Sequence, residues 1–180
     1  YEHFMLKEIY EQPKTINDTI SPRIKDNDIV IEELNMSDEE IQEITKIHIV
    51  ACGSAYHTGV TAKYVIEGLA RIPVEVDVAS EFRYRDPILQ KGNMVIVISQ
   101  SGETADTLAA LRESKEKGFK VLGIVNVVGS SIAREADSVM YTWAGPEIAV
   151  ATTKAYSAQL TALYMLAMKF AKVRGTIDQE

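Results

Sequence analysis

The sequence contains a single cysteine, Cys52, which excludes an internal disulfide and every zinc motif built on a pair of cysteines. A chain without disulfides suits a reducing compartment, so we expect a cytoplasmic protein. The three histidines, His3, His48 and His57, show no metal-ligand spacing, and no metal site is expected from them.

A long apolar run and an excess of positive charge are also missing. The longest apolar stretch, Ala155–Ala171, is too short for a membrane span and is interrupted by Ser157, Gln159 and Lys169. The first 30 residues are polar and do not resemble a signal peptide. With 19 basic and 26 acidic residues, the net charge of −7 argues against nucleic-acid binding, which depends on surplus Lys and Arg.

The 180 residues are 46% hydrophobic and 25% charged, which is typical of one globular domain with an appended arm. We assign residues 1–46 to an N-terminal helical arm and residues 47–180 to the domain. Because the chain begins at Tyr1 rather than Met, we expect a piece of a longer protein.

Two short helices are predicted in the arm. His3–Gln12 has helical spacing of its apolar positions and is predicted to end at Pro13, because the residue before a proline avoids the helical region. Ser37 and Glu40 have the spacing of a capping box, which predicts a helix that continues to about Lys46.

From residue 47 the chain alternates between short β-branched runs and helical patterns. The predicted strands are Ile47–Ala51, Val74–Val78, Met94–Ile98, Val121–Val125 and Val139–Thr142. The predicted helices are 55–70, 80–85, 104–117, 131–136 and 150–173. This alternation predicts an α/β fold, a three-layer sandwich around a five-stranded parallel sheet in the flavodoxin-like order 2-1-3-4-5.

Two turns carry the residues most suited to ligand binding. Gly53 and Ser54 follow the first predicted strand, and Ser99–Thr104 follows the third. In the order 2-1-3-4-5 these strands flank the switch point, where ligands bind outside the carboxyl ends of the strands. Free backbone N–H groups at a helix N-terminus favour an anion, and hydroxyls are neutral donors that suit a phosphate. Simple N-capping is the alternative reading of these hydroxyls.

A third candidate segment is 147–154, which leads into the last helix. Thr152 or Thr153 either caps that helix or contacts a ligand. Lys154 either meets an anion or, as the preferred reading, is a solvated residue of its first turn. Cys52 is read as a small strand-end residue rather than a nucleophile. The sequence holds neither a Walker A loop nor a Gly-x-Gly-x-x-Gly fingerprint, so no nucleotide cofactor is expected.

Several motifs together resemble one branch of the sugar-isomerase (SIS) family. They are Cys52–Ser54, Ala-Ser-Glu-Phe-Arg-Tyr at 79–84, Ser-Gln-Ser-Gly-Glu-Thr at 99–104, and the arm segment Lys-Glu-Ile-Tyr-Glu-Gln-Pro at 7–13. The domain resembles the first SIS domain of the glucosamine-6-phosphate synthases. The arm resembles the segment that joins it to their glutaminase domain.

The resemblance implies an activity and a set of binding residues. That family converts fructose 6-phosphate and glutamine to glucosamine 6-phosphate and glutamate. By resemblance, the phosphate of the sugar is held by Ser99, Gln100, Ser101 and Thr104. The rest of the sugar would meet Gly53, Ser54, Val150, Ala151 and Thr152. Ala55 stands where the family often has serine, so one hydroxyl contact is missing.

The resemblance places the catalytic groups outside this sequence. The acid–base glutamate, the ring-opening histidine and the Schiff-base lysine of that family belong to its second SIS domain and C-terminal tail. We therefore expect no catalytic residue here, binding without turnover, contacts with the second SIS and glutaminase domains, and a homodimer. The alternatives are a non-catalytic SIS phosphosugar sensor and a stand-alone phosphosugar isomerase.

Overall fold

The computed structural model describes residues 1–177, and five parallel strands form its central sheet. The strands are β1 Lys46–Ala51, β2 Val74–Val78, β3 Asn93–Ser99, β4 Lys120–Val125 and β5 Ser138–Tyr141. Their order is β2-β1-β3-β4-β5, and every neighbouring pair is parallel. The predicted order 2-1-3-4-5 is confirmed, and so are the positions of all five strands.

Helices cover both faces of the sheet. They are α1 Phe4–Ile20, α2 Asp38–Gln42, α3 Gly53–Leu69, α4 Ala79–Tyr84, α5 Ala105–Glu116, α6 Ser131–Glu135 and α7 Lys154–Val173. One buried cluster packs α3 and α7 against the sheet, and a second packs α4, α5 and α6 against the other face. Because both faces are buried, β3 reads as a continuous apolar run, and the buried part of β1 is interrupted only by His48. The three-layer sandwich is confirmed.

Pro13 does not end the first helix, and that prediction is wrong. Helix α1 runs from Phe4 to Ile20 with Pro13 in its interior. Proline has no N–H, so the carbonyl of Ile9 loses its usual helical partner. The side-chain amide of Gln12 donates to that carbonyl at 3.1 Å and replaces the missing bond.

Helix α1 buries a polar face and leaves its apolar residues exposed. Glu8, Thr15 and Thr19 are each at most 4% exposed, whereas Phe4 and Leu6 are 61% and 43% exposed. The helix packs against α7 through the polar face. Leu6, Ile9 and Tyr10 lie on the opposite side of the helix and are 43%, 40% and 66% exposed, so the arm presents an uncovered apolar surface there, whereas Phe4 is exposed at the N-terminal end of the buried face.

The second half of the arm returns the chain to the sheet. A turn at Asp26 and Asn27 closes a small antiparallel hairpin between Ile24–Lys25 and Asp28–Ile29. The capping box is confirmed, because Glu40 N–H donates to the Ser37 hydroxyl and Ser37 N–H donates to the Glu40 carboxylate. Helix α2 ends at Gln42, four residues before the predicted Lys46.

A buried arginine ties the arm to the edge of the sheet. Arg23 has no exposed side-chain surface, and its guanidinium donates to Glu33 at 2.7 Å and to the carbonyls of Thr19 and Tyr141 at 2.7 and 2.8 Å. Ile31, Leu34, Ile41 and Ile44 belong to the same core cluster as the α3–α7 face of the sheet. The boundary between arm and domain at residue 46 stays a prediction. None of the helices described in residues 1–177 is long and apolar enough to cross a membrane.

Candidate functional site

A cavity of about 330 Å³ opens at the carboxyl ends of β1 and β3, where the strand order reverses. Most of the predicted site residues line it: Gly53, Ser54, Ser99, Gln100, Ser101, Thr104, Val150 and Thr152. The other lining residues are Cys52, Ala55, Ile98, Glu147, Ala149 and Gln159. Ala151 is the predicted residue that does not line the cavity. The topology thus brings together segments nearly one hundred residues apart.

The turn after β3 is organised by its own hydroxyl groups. Ser99 Oγ lies 2.9 Å from Thr104 Oγ1 and accepts a hydrogen bond from Gly102 N–H at 3.0 Å. The Ser101 hydroxyl accepts from Glu103 N–H at 3.2 Å. Thr104 occupies the N-cap position of α5, but its side chain makes no capping bond. Helix capping therefore does not explain the Thr104 hydroxyl.

Gly102 is required at its position for two reasons. Its φ of +67° lies in the left-handed region, where a side chain is strained. A Cβ on Gly102 would also meet Ser130 Oγ at 2.1 Å and Ser130 Cβ at 2.6 Å. The Gly102 carbonyl accepts from Ile132 N–H at 3.0 Å, so the turn packs directly on the start of α6.

Glu103 faces α6 and does not line the cavity. Its carboxylate accepts from Ser131 N–H at 2.7 Å. Hydrogen bonds from the side chain and the backbone of Ser131 hold the pKa of Glu103 below its usual value. Glu103 therefore stabilises the turn on the side away from the cavity, where its carboxylate caps the N-terminus of α6.

The turn after β1 leaves the start of α3 free. Cys52 occupies the N-cap position and makes no side-chain capping bond. Gly53 has a φ of +58°, and a Cβ added there would meet nothing within 4 Å. The backbone of this turn therefore faces open cavity, and Ser54 and Ala55 continue its wall.

The third wall is the loop before α7, and Glu147 organises it. The Glu147 carboxylate accepts from Thr152 Oγ1 at 2.8 Å, Thr153 N–H at 2.9 Å and Ala155 N–H at 3.2 Å. Thr153 is the N-cap residue, but its side chain makes no capping bond. Neither Thr152 nor Thr153 caps α7 with its own side chain, because Glu147 supplies the cap.

Comparison with known protein families places this chain in one of them. Residues 40–169 match the family described as "SIS domain". The chain belongs to the SIS domain family. This match spans the whole parallel sheet and all three segments that line the cavity.

Relatives of this SIS domain over its full length share one name. The chain is 63% identical to glutamine–fructose-6-phosphate aminotransferase (isomerizing) of Clostridium tetani, covering 100% of this chain and 30% of that protein. It is 64% identical to the Caldanaerobacter subterraneus protein of the same name, covering 99% of this chain and 29% of the relative. The chain therefore spans about 30% of the length of the curated relatives it matches.

A solved structure shows the same backbone. The C-terminal domain of glucosamine-fructose-6-phosphate aminotransferase from Francisella tularensis superposes with a TM-score of 0.93 at 44% sequence identity. The match covers 99% of this chain and 50% of that one. The resemblance seen in the motifs is confirmed at the level of the family and of these relatives.

Two residues near the cavity of the SIS domain differ from expectation. Lys154 is not solvated, since it is 4% exposed and its Nζ lies 2.7 Å from Glu11 Oε2 of the arm. Gln159 lines the cavity from α7 and was not predicted. Its signal in the sequence was a polar residue interrupting the apolar run of that helix. Such a residue, 3% exposed here, has to face either a polar partner or a polar cavity.

Away from the cavity, His48 lies beside two carboxylates. His48, Glu75 and Asp77 have possible ligand atoms within 4.8 Å of one another, a group that sequence spacing did not reveal. Arg85 already lies 2.8 Å from Glu75 and 2.7 Å from Asp77, and Lys46 lies 2.5 Å from Glu75. Burial lowers the pKa of His48, which favours the neutral ring. We read this group as an ion-pair network on the edge strand.

Volume alone does not single out the cavity. A cleft of about 340 Å³ lies along residues 30–40 of the arm, and one of about 440 Å³ lies beside β2 and α3. Neither collects the N-termini of long helices. The cavity between the β1 and β3 turns is distinguished by two of them, those of α3 and α5, together with the loop that leads into α7.

Proposed function

We propose that this chain is the first SIS domain of an isomerising glutamine–fructose-6-phosphate aminotransferase, an enzyme that makes glucosamine 6-phosphate from fructose 6-phosphate and glutamine. In this proposal the domain binds the phosphate end of the sugar. The names of full-length relatives at 63–64% identity support the parent enzyme. The cavity at the switch point supports the ligand.

One observation carries the phosphate assignment. The N-terminus of α5 carries no side-chain cap, although Ser99, Ser101 and Thr104 surround it with hydroxyls. An uncapped helix N-terminus has unpaired N–H groups and a positive dipole end, which a phosphate satisfies better than water does. We assign Ser99, Gln100, Ser101 and Thr104 to the phosphate.

The remaining wall suits the carbon chain and hydroxyls of a sugar. Gly53 and Ser54 lie on one side, and Val150 and Thr152 lie on the other. We assign these residues and the neighbouring backbone of Ala151 to the sugar hydroxyls. A volume of about 330 Å³ lies at the lower end of the range for small-ligand pockets.

The domain is proposed to bind without turnover. Moving a proton between two sugar carbons requires a base within hydrogen-bond reach, with free lone pairs. Glu147 is the carboxylate that lines the cavity in residues 1–177, and its oxygens already accept three hydrogen bonds, two from the amides that begin α7 and one from the Thr152 hydroxyl. A stand-alone isomerase would need another base. We propose that the second SIS domain supplies it, within a cytoplasmic homodimer that also carries a glutaminase domain.

Binding is tested by isothermal titration calorimetry with fructose 6-phosphate. The turn after β3, Ser99–Thr104, is called the phosphate turn for its proposed ligand. Ser101→Ala and Thr104→Val each remove a hydroxyl from it. Since a hydrogen bond to a charged group contributes about 1.5–3 kcal/mol, each change should weaken binding by about tenfold or more. Thr61→Val, which removes an exposed hydroxyl of α3 bonded to the His57 carbonyl, is the control and should bind normally. Unchanged affinity in both turn variants would refute the phosphate assignment.

The absence of turnover is tested separately. The purified chain is incubated with fructose 6-phosphate and ammonium, and glucosamine 6-phosphate and glucose 6-phosphate are measured. We expect no product. Product formed by the unchanged chain, at a rate abolished in Glu147→Gln, would show that this domain carries its own base.

A further inference from the structure

Glu8 of the arm is a buried carboxylate whose partners are backbone amides of the cavity loop. It is 2% exposed. Its Oε1 accepts from Ile148 N–H at 2.6 Å and from Ala149 N–H at 3.2 Å, and its Oε2 lies 3.3 Å from Ala149 N. A carboxylate is costly to bury, so these bonds matter to the position of both partners.

Residues 148–150 of the cavity loop make no hydrogen bond within residues 1–177 other than those to Glu8, whereas Ala144 and Gly145 are bonded to Asn126. Residues 142–153 form no helix or strand. Ile148 and Val150 are 60% and 104% exposed, so apolar packing does not anchor them. Glu147 bonds forward to the start of α7, whereas Ile148 and Ala149 bond to Glu8. Glu8 thus holds the amide of Ala149, which lines the cavity, and Val150, which also lines it, is the next residue.

Two further contacts make the arm and the cavity wall one unit. Glu11 forms the ion pair with the buried Lys154, and Gln12 Oε1 accepts from the Ser157 hydroxyl at 2.5 Å. Glu8, Glu11 and Gln12 lie at positions i, i+3 and i+4, on one face of α1. That face contacts both the loop and the first turn of α7.

The phosphate turn is held by different contacts. Ser99 and Thr104 bond to each other, and Glu103 bonds to Ser131 of α6. Within residues 1–177, none of these groups forms a hydrogen bond with the arm. The arm therefore reaches one side of the cavity and leaves the other side independent.

We propose that Glu8 is a positioning residue for the sugar end of the site. It fixes the backbone of residues 148–150, where the sugar hydroxyls would bind, without affecting the phosphate end. This inference rests on the proposed function for its ligand, but the control of the loop by Glu8 does not. A shift of α1 would change affinity for the sugar while leaving affinity for phosphate the same.

The loop is tested first, without ligand. Amide hydrogen exchange is measured in the unchanged chain, in Glu8→Ala, in Glu8→Gln and in Asp18→Asn. Asp18 is the matched control, because it pairs with Lys14 on the exposed side of the same helix. Glu8→Ala should speed exchange at Ile148 and Ala149, Glu8→Gln should retain part of the protection, and Asp18→Asn should change nothing. Unchanged protection in Glu8→Ala would overturn the proposal, whatever the domain binds.

Ligand binding is tested next, with fructose 6-phosphate and inorganic phosphate as separate titrants. Glu8→Ala should weaken the binding of fructose 6-phosphate by about tenfold. Without Glu8 the loop is ordered only when the sugar binds, and that ordering lowers the affinity. Its affinity for inorganic phosphate should change by less than about twofold, and Glu8→Gln should recover part of the sugar affinity. An equal loss of affinity for fructose 6-phosphate and for inorganic phosphate would mean a general structural defect and would overturn the positioning role. An unchanged chain that binds neither titrant would instead refute the proposed function.

Discussion

Replacing Gly102 of the phosphate turn by alanine should lower the free energy of unfolding, for two separate reasons. The left-handed φ of +67° costs a residue with a Cβ about 1–2 kcal/mol. The new Cβ would also lie 2.1 Å from Ser130 Oγ and 2.6 Å from Ser130 Cβ, which forces a shift in the turn or in α6. Overpacking of that kind costs about 1–3 kcal/mol. The expected loss of unfolding free energy is therefore about 2–5 kcal/mol.

Two further variants separate the steric cost from the backbone cost. Gly118 has a φ of +83°, and a Cβ added there would meet nothing within 4 Å, so Gly118→Ala should lose about 1–2 kcal/mol only. Ser130→Gly removes both colliding atoms, and Ser130 makes no capping bond that would be lost. In the Gly102→Ala background it should recover about 1–3 kcal/mol.

Urea unfolding followed by circular dichroism measures all four chains: the unchanged protein, both alanine variants and the double variant. Calorimetry with inorganic phosphate then reports on the turn itself, which should bind more weakly in Gly102→Ala and recover in the double variant. Equal losses in Gly102→Ala and Gly118→Ala would refute the steric argument. So would a double variant no more stable than Gly102→Ala.

Three other predictions concern stability and assembly. The pKa of Glu103 is lowered from its ordinary 4.5, so its carboxylate stabilises the fold above that pH and loses the effect as the pH falls through the lowered value. Glu103→Gln should therefore be less stable than the unchanged protein at pH 7, and urea unfolding should show the difference shrinking below about pH 4. Arg23→Met should destabilise by about 3–5 kcal/mol in the same assay, because it leaves Glu33 and two carbonyls without their buried partner. Sedimentation velocity should show concentration-dependent self-association that Leu6→Ser weakens, since Leu6 is 43% exposed on the open apolar side of α1; a monomer at every concentration would contradict this.

The sheet was predictable because its signals are local and its order follows from them. Met94–Ile98 and Val121–Val125 are apolar runs and Val74–Val78 alternates valine with carboxylates, each between helical patterns, and right-handed crossovers leave few ways to order such strands. The turns at Gly53 and Ser99–Thr104 were predictable for the same reason, because parallel strands end at one edge of the sheet. Capping at Ser37 was equally local, since the box needs only its own four residues.

The polar contacts of the arm were not predictable, because their partners lie far away in sequence. Lys154 pairs with Glu11 and Glu8 pairs with the amides of Ile148 and Ala149, across about 140 residues. In the sequence, each is an ordinary charged residue that would face water. The predicted helix end at Pro13 was wrong for a different reason, because the side chain of Gln12 replaces the hydrogen bond that proline removes.

The cavity lining has one further property: within residues 1–177, no Lys, Arg or His side chain contributes to it. Its proposed ligand contacts are hydroxyls, amides and the ends of helices, whose fields act over a few ångströms. This chain carries a net charge of −7, which repels an anion at a distance. The phosphate site that we propose would therefore not gather its ligand by long-range attraction. It would hold the anions whose shape satisfies its donors after they arrive, and added salt, which screens the long-range repulsion, would speed their arrival.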